Sequence, residues 1–304
     1  MKKSLLFVIT ALLTASVFSQ KYTITPLPYK DDAKFLQVQN LTDQFDYALL
    51  KTDKQTDRTG KVFHYKKSNQ DGSNADDVWI YYPNPYRSEN FYTFQQDKNT
   101  FSIVYADYDK NYQSVKMISY AVDKKLKFTE NAVSELNGNT ITLKAGGKKK
   151  DDVINGIIPS YNLNFDFTDL NSMIPFLKNK EADFTFGFNN LYVPSKAVIA
   201  KASVGLTSRI EMYVGKTVCR YIGKSTYKGS ECFVYNIVVE DYENLSGKIY
   251  VDTSDYSVVE INTQHCGNPL YDSFKFTLVE KFTMMTPEEW KNFYEGKIKE
   301  GVKK

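Results

Sequence analysis

DSFKFTLVEKF, residues 272–282, decides the fold class: Phe274, Phe276 and Leu278 interleave with Ser273, Lys275 and Thr277. This period of two is the signature of a strand with one apolar and one wet face. Working outward, the same habit predicts strands over 191–201, 209–214, 217–226, 231–240, 247–252 and 256–263. Toward the N-terminus it predicts strands over 45–51, 61–67, 78–82, 91–96, 101–107, 112–122, 125–131 and 140–144. The clusters between them, such as 68–77, 97–100, 109–111 and 136–139, carry the Asn, Asp and Gly that turns require. Spacing of this kind belongs to hairpins, not to strands alternating with helices. The expected fold is mainly β: an antiparallel sheet that must curl or close to manage its edges.

Two helices interrupt the pattern. Near 168–179, Leu170, Met173, Ile174 and Leu177 follow the i, i+3, i+4, i+7 rule, and Pro175 must kink or shorten the helix. Near 286–295, Thr286 and Glu289 form a capping box, Pro287 opens the first turn, and Met285 and Trp290 have the spacing of a hydrophobic staple. Gly296 is expected to end this helix, whose stripe of Trp290, Phe293 and Tyr294 would dock on the sheet.

Residues 1–19 read as an export leader: Lys2 and Lys3 precede an apolar run from Leu5 to Val17, with a cleavage point expected after Ser19. As a helix that run rises only about 20 Å, against a hydrocarbon core of about 30 Å. The first cysteine is Cys219, so no lipid-attachment Cys stands at the cleavage point. A soluble, exported mature chain without a transmembrane segment is expected, in a bacterial periplasm or cell envelope. Residues 20–304 are expected to form a single β-rich domain, with a possible seam at 144–159 where Gly146, Gly147 and Lys148 to Lys150 break the pattern. Removing Lys2 and Lys3 leaves 37 basic against 36 acidic side chains, which gives no electrostatic case for nucleic acid.

Covalent chemistry has few candidates. With only His64 and His265, a three-histidine zinc site and an HExxH helix are both impossible. Cys266 neighbours His265, but adjacent strand residues point to opposite faces. His64 reads as a strand residue with a satisfied nitrogen. Asp107, Asp109 and Asn111 mimic the start of a calcium loop, yet Tyr112 stands where its sharp turn needs Gly, so a hairpin turn is the better reading. Three cysteines allow three disulfide pairings. If Lys228 and Gly229 form a two-residue turn, Tyr227 faces Ser230 and Cys219 falls opposite Val238, not Cys232. No nucleotide or hydrolase motif occurs, no cofactor or metal is implied, and the chain reads as a non-enzyme, a hydrolase built on paired carboxylates staying open.

The helix opening in FDFTDLNSMIPFLKNKE (165–181), followed by the hairpins YKGSECFVYNIVVE (227–240) and GKIYVDTSDYSVVEI (247–261), resembles exported bacterial families related to LolA-like lipoprotein carriers. The resemblance implies a strongly bent antiparallel sheet, a half-barrel around short covering helices, and no catalytic residues. A bent sheet with an apolar concave face can bury an acyl chain at ~0.8 kcal/mol per CH₂. The leading expectation is therefore a protein that binds or chaperones a hydrophobic ligand, a lipid or a lipidated partner. Candidate ligand-binding residues are Met173, Ile174, Leu177, Phe274, Phe276, Leu278, Trp290 and Phe293. The alternative is a structural or partner- or glycan-binding envelope β-protein whose core is filled.

Overall fold

The structure, a computed structural model, describes residues 56–95, 100–110, 112–137, 140–145, 153–157, 163–164, 167–188, 215–239, 242–264 and 273–301. The leader, the strands expected over 45–51, 191–201 and 209–214, and the pair His265 and Cys266 lie outside the described residues.

Fifteen strands among the described residues join one sheet. They are β1 (Val62–Ser68), β2 (Asp76–Asn84), β3 (Arg87–Thr93), β4 (Phe101–Tyr108), β5 (Ser114–Val122), β6 (Phe128–Asn137), β7 (Thr140–Ala145) and β8 (Val153–Ile157). After these come β9 (Leu163–Asn164), β10 (Phe184–Phe188), β11 (Gly215–Tyr227), β12 (Ser230–Val239), β13 (Tyr242–Asp252), β14 (Val258–Thr263) and β15 (Phe274–Phe282). The sheet order is β8-β7-β6-β5-β4-β3-β2-β1-β15-β14-β13-β12-β11-β10-β9. The chain thus meanders outward from β1 to β8, then inward from β9 until β15 pairs with β1. Each neighbouring pair is antiparallel except β9 with β10, which is parallel. β9 comes back to approach β5 although far from it in sheet order, so the sheet curls strongly; no pairing among the described residues closes it into a barrel.

Within the stretch 272–282, Phe274–Phe282 form β15, near the centre of the sheet and paired with β1 and β14. β8, β9 and β10 went unread in the sequence. β8 lies inside the seam expected at 144–159, where β7 and β8 form an antiparallel pair running from Thr140 opposite Ile157 to Lys144 opposite Val153. Its VINGI sequence is too short for periodicity to register. The turn at Lys228 and Gly229 has φ of 48° and 85°, the left-handed pair that a two-residue hairpin demands. Tyr227 faces Ser230 as expected, but Cys219 faces Ile237 and not Val238. The reason is a bulge: Ile222 is left unpaired beside Gly223, whose φ is +119°, and this one extra residue shifts the register. Cys219 and Cys232 are both buried free thiols.

The expected helix near 168–179 is a broken segment. A 3₁₀ turn at Phe167–Asp169 leads into one α turn, α1 (Leu170–Met173), and a second 3₁₀ turn at Ile174–Phe176. Pro175 lies inside that last turn, as its missing N–H dictates. The C-terminal helix, α2 (Pro287–Gly301), has the expected capping box: the Thr286 N–H donates to Glu289 Oε2 at 2.7 Å and the Glu289 N–H to Thr286 Oγ1 at 3.2 Å. Gly296 does not end it. The helix runs one further turn because Ile298 is fully buried and Glu295 pairs with Lys291 and Lys299 at i,i+4 spacing. That anchor outweighs the roughly 1 kcal/mol a mid-helix Gly costs.

Side chains alternate between two separate cores. On β2, Val78, Ile80 and Tyr82 enter one cluster while Trp79 and Tyr81 enter the other; on β1, Phe63 and Tyr65 oppose Val62. Alternation along a strand means opposite faces of the sheet. The inner face, reaching from β1 and β2 across β15 to β10, is covered by the 167–177 segment. The outer face of β1 to β5 is covered by α2.

Candidate functional site

The inner face is the concave side of the curled sheet, and the 167–177 segment sits in it as a plug. Leu170, Met173, Ile174, Phe176 and Leu177 are at most 2 % exposed and share one cluster with Phe274, Phe276, Tyr235, Ile249 and Ile261. Phe276 stacks on Tyr65 with ring centroids 4.1 Å apart, and Phe176 stacks on Tyr112 at 4.6 Å. Tyr112 has φ of 55°, a strained setting for a tyrosine, and closes the β4–β5 turn that was the calcium-like motif. Asp107 of that motif pairs instead with Arg87 at 3.0 Å.

The plug carries buried polar side chains as well as apolar ones. Asn171 Oδ1 accepts from the Tyr65 hydroxyl and from the Val258 N–H, each at 3.0 Å, and Tyr65 also reaches the Val258 carbonyl at 2.9 Å. The Asp169 carboxylate accepts from Tyr108 at 2.8 Å on one oxygen and from Ser114 at 2.9 Å on the other. Burial holds the Tyr65 and Tyr108 phenols well above their ordinary value and pushes Tyr82 up to about 12, so all three stay protonated donors. At the exit from the plug, Lys180 Nζ donates to the carbonyls of Pro175 and Leu177 at 2.8 and 2.7 Å and lies 4.2 Å from the Tyr256 ring centre. The Tyr235 hydroxyl donates to the Lys180 carbonyl.

Not every buried polar atom here is matched. Arg58 Nε, Tyr82 Oη, Asn171 Nδ2 and Ser172 Oγ have no hydrogen-bond partner. Ser172 lies near enough to Tyr82 and Tyr108 to weigh on their ionisation, yet aligns with neither for a hydrogen bond. A buried unmatched polar group costs about 1–3 kcal/mol, and native cores hold few of them.

The sequence-derived candidates are not all brought together. Met173, Ile174, Leu177, Phe274 and Phe276 meet on the inner face, with Leu278 partly buried against them. Trp290 and Phe293 lie on the outer face, where Trp290 stacks on Tyr81 at 5.3 Å and donates its indole N–H to Glu89 Oε2 at 3.0 Å. His64 is also outside the site, its Nε2 2.8 Å from Asp77 Oδ1 and its ring stacked on Trp79 at 4.5 Å. Sequence reasoning missed Arg58, Tyr65, Tyr82, Tyr108, Asp169, Asn171 and Ser172. The Thr-Asp and Asn-Ser pairs of the plug read as the wet face of an amphipathic helix, but that face is buried too. Their available signal was four polar residues set in a run otherwise apolar and aromatic.

No family model matches the chain, and no curated protein matches it. Solved structures do. The chain is similar to a β-barrel-like protein of a domain of unknown function, DUF1849, from Brucella abortus: TM-score 0.42, 7% identity, 74% of this chain and 97% of that one covered. It is similar to a domain described as an outer membrane lipoprotein-sorting protein domain, from Vibrio parahaemolyticus: TM-score 0.30, 10% identity, 86% of this chain and 100% of that one. It is similar also to MucB, with TM-score 0.30, 10% identity, 82% of this chain and 62% of that one.

Proposed function

We propose that the chain is an exported, non-enzymatic envelope protein that binds a hydrophobic ligand, a lipid or the lipid of a lipidated partner, on the inner face of its curled sheet. The plug occupies that face, and its apolar end, Met173 to Leu177, gives way to the ligand's chain. The observation that carries the reading is the composition of the plug: a broken helix with polar side chains buried beside apolar ones and several polar atoms unmatched.

The energies support exchange. Burying the five apolar plug side chains is worth about 8–15 kcal/mol at ~1.5–3 each. Ordering the eleven residues costs about 16 kcal/mol at ~1.5 each. Side-chain hydrogen bonds to Asn171 and Asp169 return about 4–6 kcal/mol. The terms cancel to within about 5 kcal/mol of zero, so the plug is only marginally held. A chain of about twelve carbons offers a gross ~9 kcal/mol to the same face, enough to compete.

Native mass spectrometry of protein extracted gently from its own cells tests the proposal. A co-purifying amphiphile is expected; a mass equal to the bare polypeptide under conditions that preserve a control lipid carrier would sink it. The second reading, a structural or partner-binding β-protein with a filled core, is favoured by one observation: the described inner face is packed with plug side chains. It predicts that no amphiphile binds at all.

A further inference from the structure

Four of the unmatched buried polar groups, those around the plug, can all donate hydrogen bonds. Arg58 Nε and Asn171 Nδ2 can only donate hydrogen bonds, and the hydroxyls of Tyr82 and Ser172 can donate as well. Their residues are all at most 2 % exposed. Backbone geometry gathers them. The segment holding Arg58 is tied to Tyr82 through the Gly60 N–H, which donates to the Tyr82 carbonyl at 2.7 Å, and the Tyr82 N–H, which donates to the Lys61 carbonyl at 3.3 Å. The guanidinium lies 4.6 Å over the Phe63 ring, which itself packs edge-on against Tyr82. One turn, Asp255 to Val258, links the two ends: the Asp255 carbonyl accepts from Arg58 Nη2 at 3.4 Å and the Val258 N–H donates to Asn171.

A buried guanidinium normally has a carboxylate partner, because an unpaired buried charge is costly. Among the described residues no carboxylate stands within ion-pair distance of Arg58; Asp255, whose carboxyl burial raises but Lys281, Ser257 and this guanidinium together hold below its ordinary value, is the acid that feels it. The Asp255 carboxylate is engaged by Lys281 at 2.7 Å and by Ser257, and the Asp169 carboxylate by Tyr108 and Ser114. Both acids already have their donors, whereas Arg58, Tyr82, Asn171 and Ser172 have donors without acceptors. The missing complement is a compact group rich in acceptor oxygens and carrying negative charge.

We infer that Arg58, Tyr82, Asn171 and Ser172 receive the anionic head, a carboxylate or a phosphate, of the amphiphile whose chain lies on the inner face. The inference rests on the proposed function and names the ligand class: an anionic amphiphile, its head at the plug–sheet boundary and its chain along Phe274, Phe276 and the strands beside them.

Calorimetric titration of the full chain with four probes of one chain length separates the outcomes: dodecanoate, dodecyl phosphate, dodecanol and dodecyltrimethylammonium. At least one anionic probe is expected to bind ten-fold or more tightly than dodecanol, and the cation most weakly. Whichever of dodecanoate and dodecyl phosphate binds more tightly identifies the head. Arg58→Gln is expected to remove the preference for the anion, so that dodecanoate and dodecyl phosphate bind no more tightly than dodecanol, with a far-UV circular dichroism spectrum like that of the wild type showing that the variant is folded. Tyr82→Phe and Ser172→Ala supply a second line, since each deletes an unmatched hydroxyl. Both are expected to raise the melting temperature while weakening the anionic probe several-fold, a combination that a purely structural role would not give. Equal binding of dodecanoate, dodecyl phosphate and dodecanol overturns the inference and leaves the proposed function standing. An Arg58→Gln protein that keeps the anion preference overturns it too, with those hydroxyls then matched by buried water only. Failure of all four probes to bind removes both.

Discussion

Trp290→Ala is the perturbation that best separates the two faces of the sheet. Trp290 is 1 % exposed, stacked on Tyr81 and Phe293 with centroids 5.3 and 5.7 Å away, and met edge-on by Tyr294 at 5.7 Å. Truncating a buried Trp costs about 3–5 kcal/mol, and three ring contacts of ~0.5–1.5 kcal/mol each place this site in the upper half of that range. Loss of the indole N–H does not orphan Glu89, which keeps the Arg87 Nε at 3.4 Å. Trp290→Phe retains the stack and loses the bond to a charged acceptor, a cost of about 1.5–3 kcal/mol. Urea unfolding followed by circular dichroism should order the proteins wild type, Phe variant, Ala variant. Because α2 covers the outer face, amphiphile affinity measured well below the unfolding midpoint should be unchanged in both. A Trp290→Ala protein that loses less than about 1 kcal/mol, or that stays folded yet loses binding, would refute the assignment of α2 to a supporting role.

Three further outcomes follow from particular contacts. Gly247→Ala would place a Cβ 2.7 Å from Thr263 Cγ2 and 2.8 Å from its Cα, and against the Asn262 carbonyl; since backbone cannot yield as a side-chain tip does, a loss of about 1–3 kcal/mol in urea unfolding is expected. Lys180→Met removes the cation holding the Pro175 and Leu177 carbonyls, so amide exchange over 174–180 should accelerate several-fold with little change in global stability. Glu260 is buried, which raises its pKa, but Lys228 at 2.7 Å with the Tyr227 and Thr277 hydroxyls more than offsets this and leaves it below its ordinary 4.5. A depressed folded pKa gives stability that is present above the unfolded value and lost as pH falls through the folded one. Glu260→Gln should therefore flatten the acid side of the stability curve below about pH 4.5, and an unchanged slope there would show that Glu260 does not contribute.

Much of the sheet was legible because half-buried strands write their period of two into the sequence. β15 is the clearest case, with Phe274 and Phe276 inward and Lys275 and Thr277 between them. The α2 capping box was legible because capping is local chemistry, fixed by Thr286 and Glu289 alone. Three things were not. The Ile222 bulge shifts Cys219 by one partner, and no residue type at that point demands a bulge until the register on both sides is known. The face taken by each helix depends on which parity of β1 and β2 each one meets, a tertiary fact that put Trp290 and Phe293 apart from Met173. The plug's polar residues looked solvated because a helical wheel assumes that one side faces water, whereas Asp169 and Asn171 find their partners on β4, β5, β1 and β14.

Hydrogen exchange over 167–177, read by mass spectrometry with and without saturating dodecanoate, tests the central claim that the plug and an amphiphile compete for the inner face. Ligand should raise exchange over the apolar end of the plug, 173–177, while strands β12 to β15 become equally or more protected. Bound dodecanoate with the plug's protection unchanged would contradict that claim.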